Sequence, residues 1–128
     1  MALALRYLYR DAANYKAERG VILAGSWSPD EMARFRAAVA TAARGAGVDP
    51  TTFSPVDLGL PAAQWQMWAI EARNENDHVF NELLEVAPSS ASPTVSDLDA
   101  AELLRRAEHC AEHGYDITRA ADLIGIDA

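Results

Sequence analysis

The chain has 128 residues, half of them hydrophobic, and its 11 basic and 19 acidic side chains give a formal charge of −8. A chain of this length suits one domain with a sizeable core, so global disorder is excluded. Nucleic acids and anionic membranes attract clustered Lys and Arg, whereas an acidic surface is repelled by both. We therefore expect neither nucleic acid nor a membrane among the partners.

The cysteine content and the N-terminal pattern indicate a compartment. Cys110 is the only cysteine, so no intrachain disulfide can form and a reducing environment is favoured. The first apolar run breaks at Arg6, before it reaches the length of a signal peptide. No run approaches the roughly 18 apolar residues that cross a bilayer. The sequence thus predicts a cytoplasmic protein.

The N-terminal segment predicts a β-hairpin. Apolar and polar residues alternate from residue 3 to residue 10, as in a half-buried strand. A second run from Val21 to Ala24 follows Gly20 and suits a partner strand. The connector of about nine residues is longer than a tight hairpin turn, so we expect a loop there. The predicted inward face of the first strand consists of Leu3, Leu5, Tyr7 and Tyr9.

The strongest helix signal follows this hairpin. Ser28 can cap a helix, and Pro29 fits its first turn. Gly45 and Gly47 are predicted to end it, because glycine adopts the left-handed closing conformation at little cost. The predicted buried stripe of this helix contains Met32, Phe35, Val39, Ala42 and Ala43.

The middle of the chain is less regular. Three prolines punctuate residues 49–61, where we expect a loop with a short extended piece near Val56. Trp65 and Trp68 fit a helix that begins near Pro61, and whether residues 61–73 are helical throughout stays open. After the turn-forming residues 74–77, the apolar positions predict a further helix over residues 77–86.

The C-terminal third predicts a linker and two helices. Residues 87–95 are small, polar and proline-containing, which is typical of a linker. One helix is predicted from Ser96 to Gly114 and a short one from Thr118 to Ile124. We therefore predict an α+β fold, with an N-terminal antiparallel β-hairpin packed on three to four helices. The predicted units are a core domain (1–86), a linker (87–95) and a C-terminal helical segment (96–128) that docks on the core or on a partner.

Residues 9–16, YRDAANYK, form the most distinctive motif in the chain. Together with the apolar run 21–25, the Gly-Leu-Pro at 59–61 and the segment 76–83, this motif resembles a family of small uncharacterised bacterial proteins. The resemblance covers about residues 5–86 and implies no function. Trp and His often follow the Asp-His-Xaa step in that pattern, where this chain has Phe80 and Asn81. We therefore expect no chemistry here that depends on that second histidine.

Residues 109–113, HCAEH, match the His-Xaa-Xaa-Glu-His pattern of inverted zinc proteases. His109 and His113 would be ligands one helical turn apart, and Glu112 would polarise a metal-bound water. At 100° per residue, however, the histidines lie about 200° and 240° from Ala107, the centre of the buried stripe. Both imidazoles should face solvent, so we expect no protease, no metal and no other cofactor. A surface metal site is the weaker alternative.

A second group of polar residues is a candidate active site. His78 and Glu82 are one turn apart in the predicted 77–86 helix, which suits an acid–base pair. A loop folded over the start of this helix would add cations that grip a phosphate or carboxylate. The simpler alternative is that Asp77 caps the helix and Asp11 hydrogen-bonds to turn backbone. The candidate catalytic residues are Arg10, Asp11, Lys16, Asp77, His78 and Glu82.

These observations predict two functions from different classes. Trp65 and Trp68 are candidate interface residues, because aromatic rings with one polar group are enriched at protein interfaces; the alternative is a place in the core. The first prediction is a small acidic cytoplasmic protein that acts by protein–protein interaction without catalysis, with a protein partner or as a homo-oligomer such as a homodimer. The alternative is a small hydrolase or anionic-ligand-binding protein, with a site formed by the 10–16 loop and the start of the 77–86 helix.

Overall fold

A computed structural model describes residues 1–10, 16–65 and 78–125. The strands are β1 (Ala2–Arg10), β2 (Lys16–Ala24), β3 (Thr52–Phe53) and β4 (Asn81–Ser89). Helical segments are α1 (Pro29–Ala46), a 3-10 helix (Pro55–Leu58), α2 (Ala100–His113) and α3 (Ile117–Ile124). The strands form an antiparallel sheet in the order β2-β1-β4-β3. The predicted α+β class and N-terminal hairpin are confirmed.

The hairpin is longer than the sequence predicts. The alternating face of β1 is buried as expected, and Tyr7 and Tyr9 are inaccessible to solvent. β2 begins at Lys16, opposite Arg10, rather than near Gly20. The predicted long loop is therefore wrong over residues 16–20. Residues 16–20 pair with β1 at the edge of the sheet, where their side chains stay exposed or half-exposed. A strand in this position therefore needs no run of apolar residues.

The predicted helix over residues 77–86 is wrong from His78 onward, because residues 78–80 are irregular and the following residues form β4. This strand pairs with both β1 and β3. The β1–β4 register shifts opposite Arg6 and Tyr7, which face Glu85 and Leu83, so Leu84 is the extra residue of a β-bulge. The bulge moves the next buried position to Val86. The resulting apolar spacing resembles that of a helix more than the strict alternation of a strand.

Helix α1 begins and ends as its sequence predicts. Ser28 accepts a hydrogen bond from the backbone N–H of Glu31, and the Glu31 side chain accepts one from the Ser28 N–H, which completes a capping box. Gly47 closes the helix with φ of 74°. Phe35 lies in the core with no exposed surface, so truncation to Ala would cost about 3–5 kcal/mol.

Helix α2 joins the same core as the sheet and α1. Asp99 caps it, three residues later than the predicted start at Ser96. Its buried stripe packs beside Phe35, and the Trp27 indole N–H donates to the Ala100 carbonyl at 2.9 Å. The bidentate Arg34–Glu108 ion pair links the exposed sides of α1 and α2. The buried stripe of α2 consists of Ala100, Leu103, Leu104, Ala107 and Cys110.

Two further segments differ from the expectations. The short extended piece is Thr52–Phe53, while Val56 lies in the 3-10 helix. The predicted linker, residues 87–95, is partly structured: residues 87–89 belong to β4, and Thr94 exchanges hydrogen bonds with the backbone of Ile22 on β2.

In the described part of the chain, every helix is too short or too polar to cross a bilayer.

Candidate functional site

Three of the predicted catalytic residues line one cleft, at the end of β1 and the start of β4. Arg10, His78 and Glu82 surround a cavity of about 420 Å³, together with Asp49 and Thr52. Lys16 is the strand partner of Arg10 but is not among the residues lining this cavity. The other two predicted members, Asp11 and Asp77, fall outside the described residues.

Both ring nitrogens of His78 bind backbone groups. The Phe80 N–H points at Nδ1 at 3.1 Å, so Nδ1 accepts this hydrogen bond and carries no hydrogen of its own. Nε2 must then carry the hydrogen that it donates to the carbonyl oxygen of Arg10, 2.8 Å away. The ring also packs on Tyr9, with 5.1 Å between centroids. This imidazole holds the end of β1 beside the start of β4, and both of its nitrogens are engaged within the chain.

Arg10 and Glu82 form an ion pair across the strands. Arg10 Nε donates to Glu82 Oε2 at 3.3 Å, and each side chain is about two-fifths exposed. Solvent screens such a pair, so its contribution to stability is small. The described lining of the cleft contains Arg10 and two carboxylates, those of Glu82 and Asp49. This described lining is therefore not electropositive.

A buried amide network, which the sequence pattern does not predict, positions His78. Asn81 Oδ1 accepts from the Ala63 N–H at 3.1 Å, and Asn81 Nδ2 donates to Gln64 Oε1 at 2.8 Å. Gln64 Nε2 in turn donates to the His78 carbonyl at 2.9 Å. The two amide side chains are at most 1% exposed. The only sequence signal for this network is two amides among apolar neighbours, in AAQW and VFNEL.

Two tyrosine hydroxyls extend this network from β1. Tyr7 Oη donates to the Pro61 carbonyl at 2.5 Å, and Tyr9 Oη accepts from the His78 N–H at 3.2 Å. Burial raises the pKa of Tyr7 well above its ordinary value, against a lowering effect of Arg19. Tyr7 therefore stays protonated and keeps its donor hydrogen. These bonds anchor the chain on both sides of the segment 66–77.

A second concave surface lies beside Trp65. It encloses about 440 Å³ between residues 56–65, residues 94–97 and α3. The Trp65 indole N–H donates to the Ile124 carbonyl at 3.4 Å, while 39% of the residue remains exposed. Leu123 also lines this surface and is 51% exposed. Of the two predicted interface residues, Trp65 thus lies at a surface groove, and Trp68 is outside the described residues.

Burial raises the pKa of two further groups in this part of the fold, Asp57 and Cys110. Burial raises the pKa of Asp57, against hydrogen bonds from the Ser54 hydroxyl and the Asp116 N–H and against the charge of Arg119. Burial, reinforced by the charge of Asp57, raises the pKa of the Cys110 thiol to about 11. The thiolate is the reactive form of cysteine, so this side chain is unreactive at neutral pH.

His109 and His113 are both exposed on α2, as the helical wheel predicts. Within the described residues, no group of three or more His, Cys, Asp or Glu side chains is arranged to hold a metal ion. A ready-made protease centre is therefore not present in that part of the chain.

The described residues define a small α+β protein with an antiparallel sheet, and its concave surfaces include a polar cleft and a largely apolar groove. Compared with protein-family models, with curated proteins and with solved structures, the chain matches none of them. The resemblance of residues 5–86 to small bacterial proteins stays a prediction.

Proposed function

We propose that this protein is a non-enzymatic binding module that acts through protein–protein contacts, and that its binding surface is the groove beside Trp65. The observation that carries this proposal is the exposure of Trp65 and Leu123 in the lining of one concave surface. Aromatic and aliphatic side chains of this kind are typical anchors of binding sites, because a partner buries them fully. A cytoplasmic location and a protein partner belong to the same proposal.

The chemistry of the groove specifies the partner segment. Its walls are largely apolar, and Asp97 lies at its rim in a chain of net charge −8. An apolar polypeptide segment flanked by Lys or Arg would complement both features. The apolar residues of the groove are Val56, Leu60, Pro61, Trp65, Val95 and Leu123.

Site-specific crosslinking in the producing cell tests this proposal, and it captures a partner whose identity is not yet known. A photoreactive amino acid replaces Leu123, and a matched chain carries it at Arg36, which is exposed on α1. We expect discrete protein adducts from position 123, none of them from position 36, and their loss when Trp65→Ala is added. Adducts that are identical from both positions, or that persist in Trp65→Ala, would contradict the proposal. The adduct masses identify a second copy of the chain or a different protein.

Catalysis is less well supported, because the central residue of the alternative site is already engaged. A general base needs an accepting nitrogen directed at the proton it removes. His78 uses Nδ1 to accept from Phe80 and Nε2 to donate to Arg10. We therefore favour a structural role for His78 over a hydrolase.

Small-ligand binding in the cleft is the second candidate function, favoured because Arg10, His78 and Glu82 line it together. An anion would have to compete with Glu82 for Arg10 and approach Asp49. Titration with inorganic phosphate, followed by heteronuclear NMR, tests this idea. Glu82→Gln should strengthen phosphate binding, and Arg10→Gln should abolish it. Identical spectra with and without phosphate in wild type and Glu82→Gln would remove anion binding as a function.

A further inference from the structure

The last turns of α2 carry a pair of histidines that the proposed function does not use. His109 and His113 are four residues apart, so their side chains project from neighbouring turns of one helix face. Their ring centroids are 4.4 Å apart, and the ring planes meet at 42°. Both side chains are exposed, so a bound ion would not require a buried charge. The pair brings two imidazoles, each with nitrogen donors, side by side on one helix face.

The helix beneath the pair is held in place. The opposite face of α2 is buried in the core through Leu103, Ala107 and Cys110. Beside the pair, Glu108 accepts two hydrogen bonds from Arg34 on α1, at 3.1 and 2.6 Å. Binding an ion would therefore fix imidazole rotamers without ordering any backbone, which lowers its entropic cost.

The surroundings favour a cation with nitrogen ligands. The C-terminal end of a helix carries partial negative charge. The Glu112 carboxylate lies 3.9 Å from His113 Nε2 and adds a further negative charge. Cys110 lies between the histidines in sequence, but it is only 6% exposed and faces the core, so its sulfur is not a donor here. Imidazole donors suit Zn²⁺, Cu²⁺ and Ni²⁺, whereas Mg²⁺ prefers oxygen.

We propose that His109 and His113 form a bidentate site for a divalent transition-metal ion such as Zn²⁺, at the C-terminal turn of α2. Two protein donors leave the remaining coordination positions to water. This is an open and exchangeable site, unlike the four-ligand closed sites that hold structural zinc. It lies on a different element from the groove beside Trp65 and does not depend on the proposed function.

Calorimetric titration of untagged protein with Zn²⁺ tests the site, with Mg²⁺ as the comparison ion. The variants are His109→Gln and His113→Gln, and the matched control is Arg105→Gln, whose side chain is 76% exposed one turn earlier on α2. We expect saturable Zn²⁺ binding by wild type and Arg105→Gln, and no Mg²⁺ binding. Each histidine variant should bind about a hundredfold more weakly, because one donor cannot chelate.

Thermal unfolding of the same four proteins gives a second readout. Zn²⁺ should raise the unfolding temperature of wild type and of Arg105→Gln but not of the histidine variants. An ion that binds the native state and not the unfolded chain stabilises the native state. Circular dichroism checks that all variants are folded. Absence of saturable Zn²⁺ binding by wild type would overturn the proposal, and so would a histidine variant that binds as tightly as wild type.

Discussion

The cleft beside His78 and the groove beside Trp65 differ in what their side chains bind. In the cleft, the imidazole of His78 and the buried amides of Asn81 and Gln64 hydrogen-bond to neighbouring parts of the chain. In the groove, Trp65 and Leu123 keep about two-fifths and half of their surface exposed. Of the residues that look catalytic in the sequence, His78 thus has both ring nitrogens bonded to backbone. Trp65, a candidate interface residue from the sequence, keeps exposed surface in the groove.

The largest expected effect tests the structural role of the cleft. Asn81→Leu removes the buried amide and leaves its two partners, the Ala63 N–H and Gln64 Oε1, unsatisfied. We expect a loss of about 3 kcal/mol in the free energy of unfolding, measured by urea denaturation. Glu85→Gln, an exposed change on the same strand, is the control and should alter stability by less than about 0.5 kcal/mol. Equal stability of the two variants would show that the network does not support the fold.

The next effect concerns the wall of the groove. Gly59 has φ of 83°, and a Cβ there would collide with the Arg106 guanidinium. Gly59→Ala should cost about 2 kcal/mol, because the backbone is strained and Arg106 must move. Gly45→Ala is the matched control, because a Cβ at this position in α1 would meet open space. This substitution should raise the free energy of unfolding by about 0.5–1 kcal/mol. Chemical denaturation should show changes in unfolding free energy of opposite sign for the two variants. A change of the same sign in both would contradict this account.

A smaller effect is expected at Trp65 itself. Trp65→Ala loses partial burial and the indole hydrogen bond to Ile124. We expect a cost of about 1 kcal/mol, since much of the ring is already exposed. Denaturation should therefore show that the variant is folded. Crosslinking from position 123 should be lost in the same variant. Unfolding of the variant at room temperature would instead place Trp65 among the core residues and weaken the contrast between the two surfaces.

The smallest expected effect is the pH dependence that Asp57 gives to the free energy of unfolding. Burial raises the pKa of Asp57, so the native state binds this proton more tightly than the unfolded chain. Stability from this group therefore increases as pH falls from above the raised pKa to the ordinary aspartate value. The difference in unfolding free energy between wild type and Asp57→Asn should shift in favour of wild type over that range. A difference that is constant with pH would show that Asp57 titrates normally.

Local chemistry explains which parts of the fold the sequence predicts. The capping box at Ser28 and the alternation of β1 depend on neighbouring residues, so both are visible in the sequence. β4 is not visible in this way, because its bulge at Leu84 breaks the period of two. In the polar cleft, Gln64 and Asn81 acquire their roles from each other across 17 residues. Such long-range pairing leaves no periodic signal in the chain.

The chemistry of Cys110 gives this protein a practical property. Its thiol is 6% exposed and has a pKa of about 11, so alkylating reagents at neutral pH would leave it unmodified. A second cysteine introduced on the exposed side of α1, for example at Arg36, would then be the preferred point of attachment for a fluorophore. The wild-type background itself is suited to single-site labelling, and no core substitution is needed to follow binding by fluorescence.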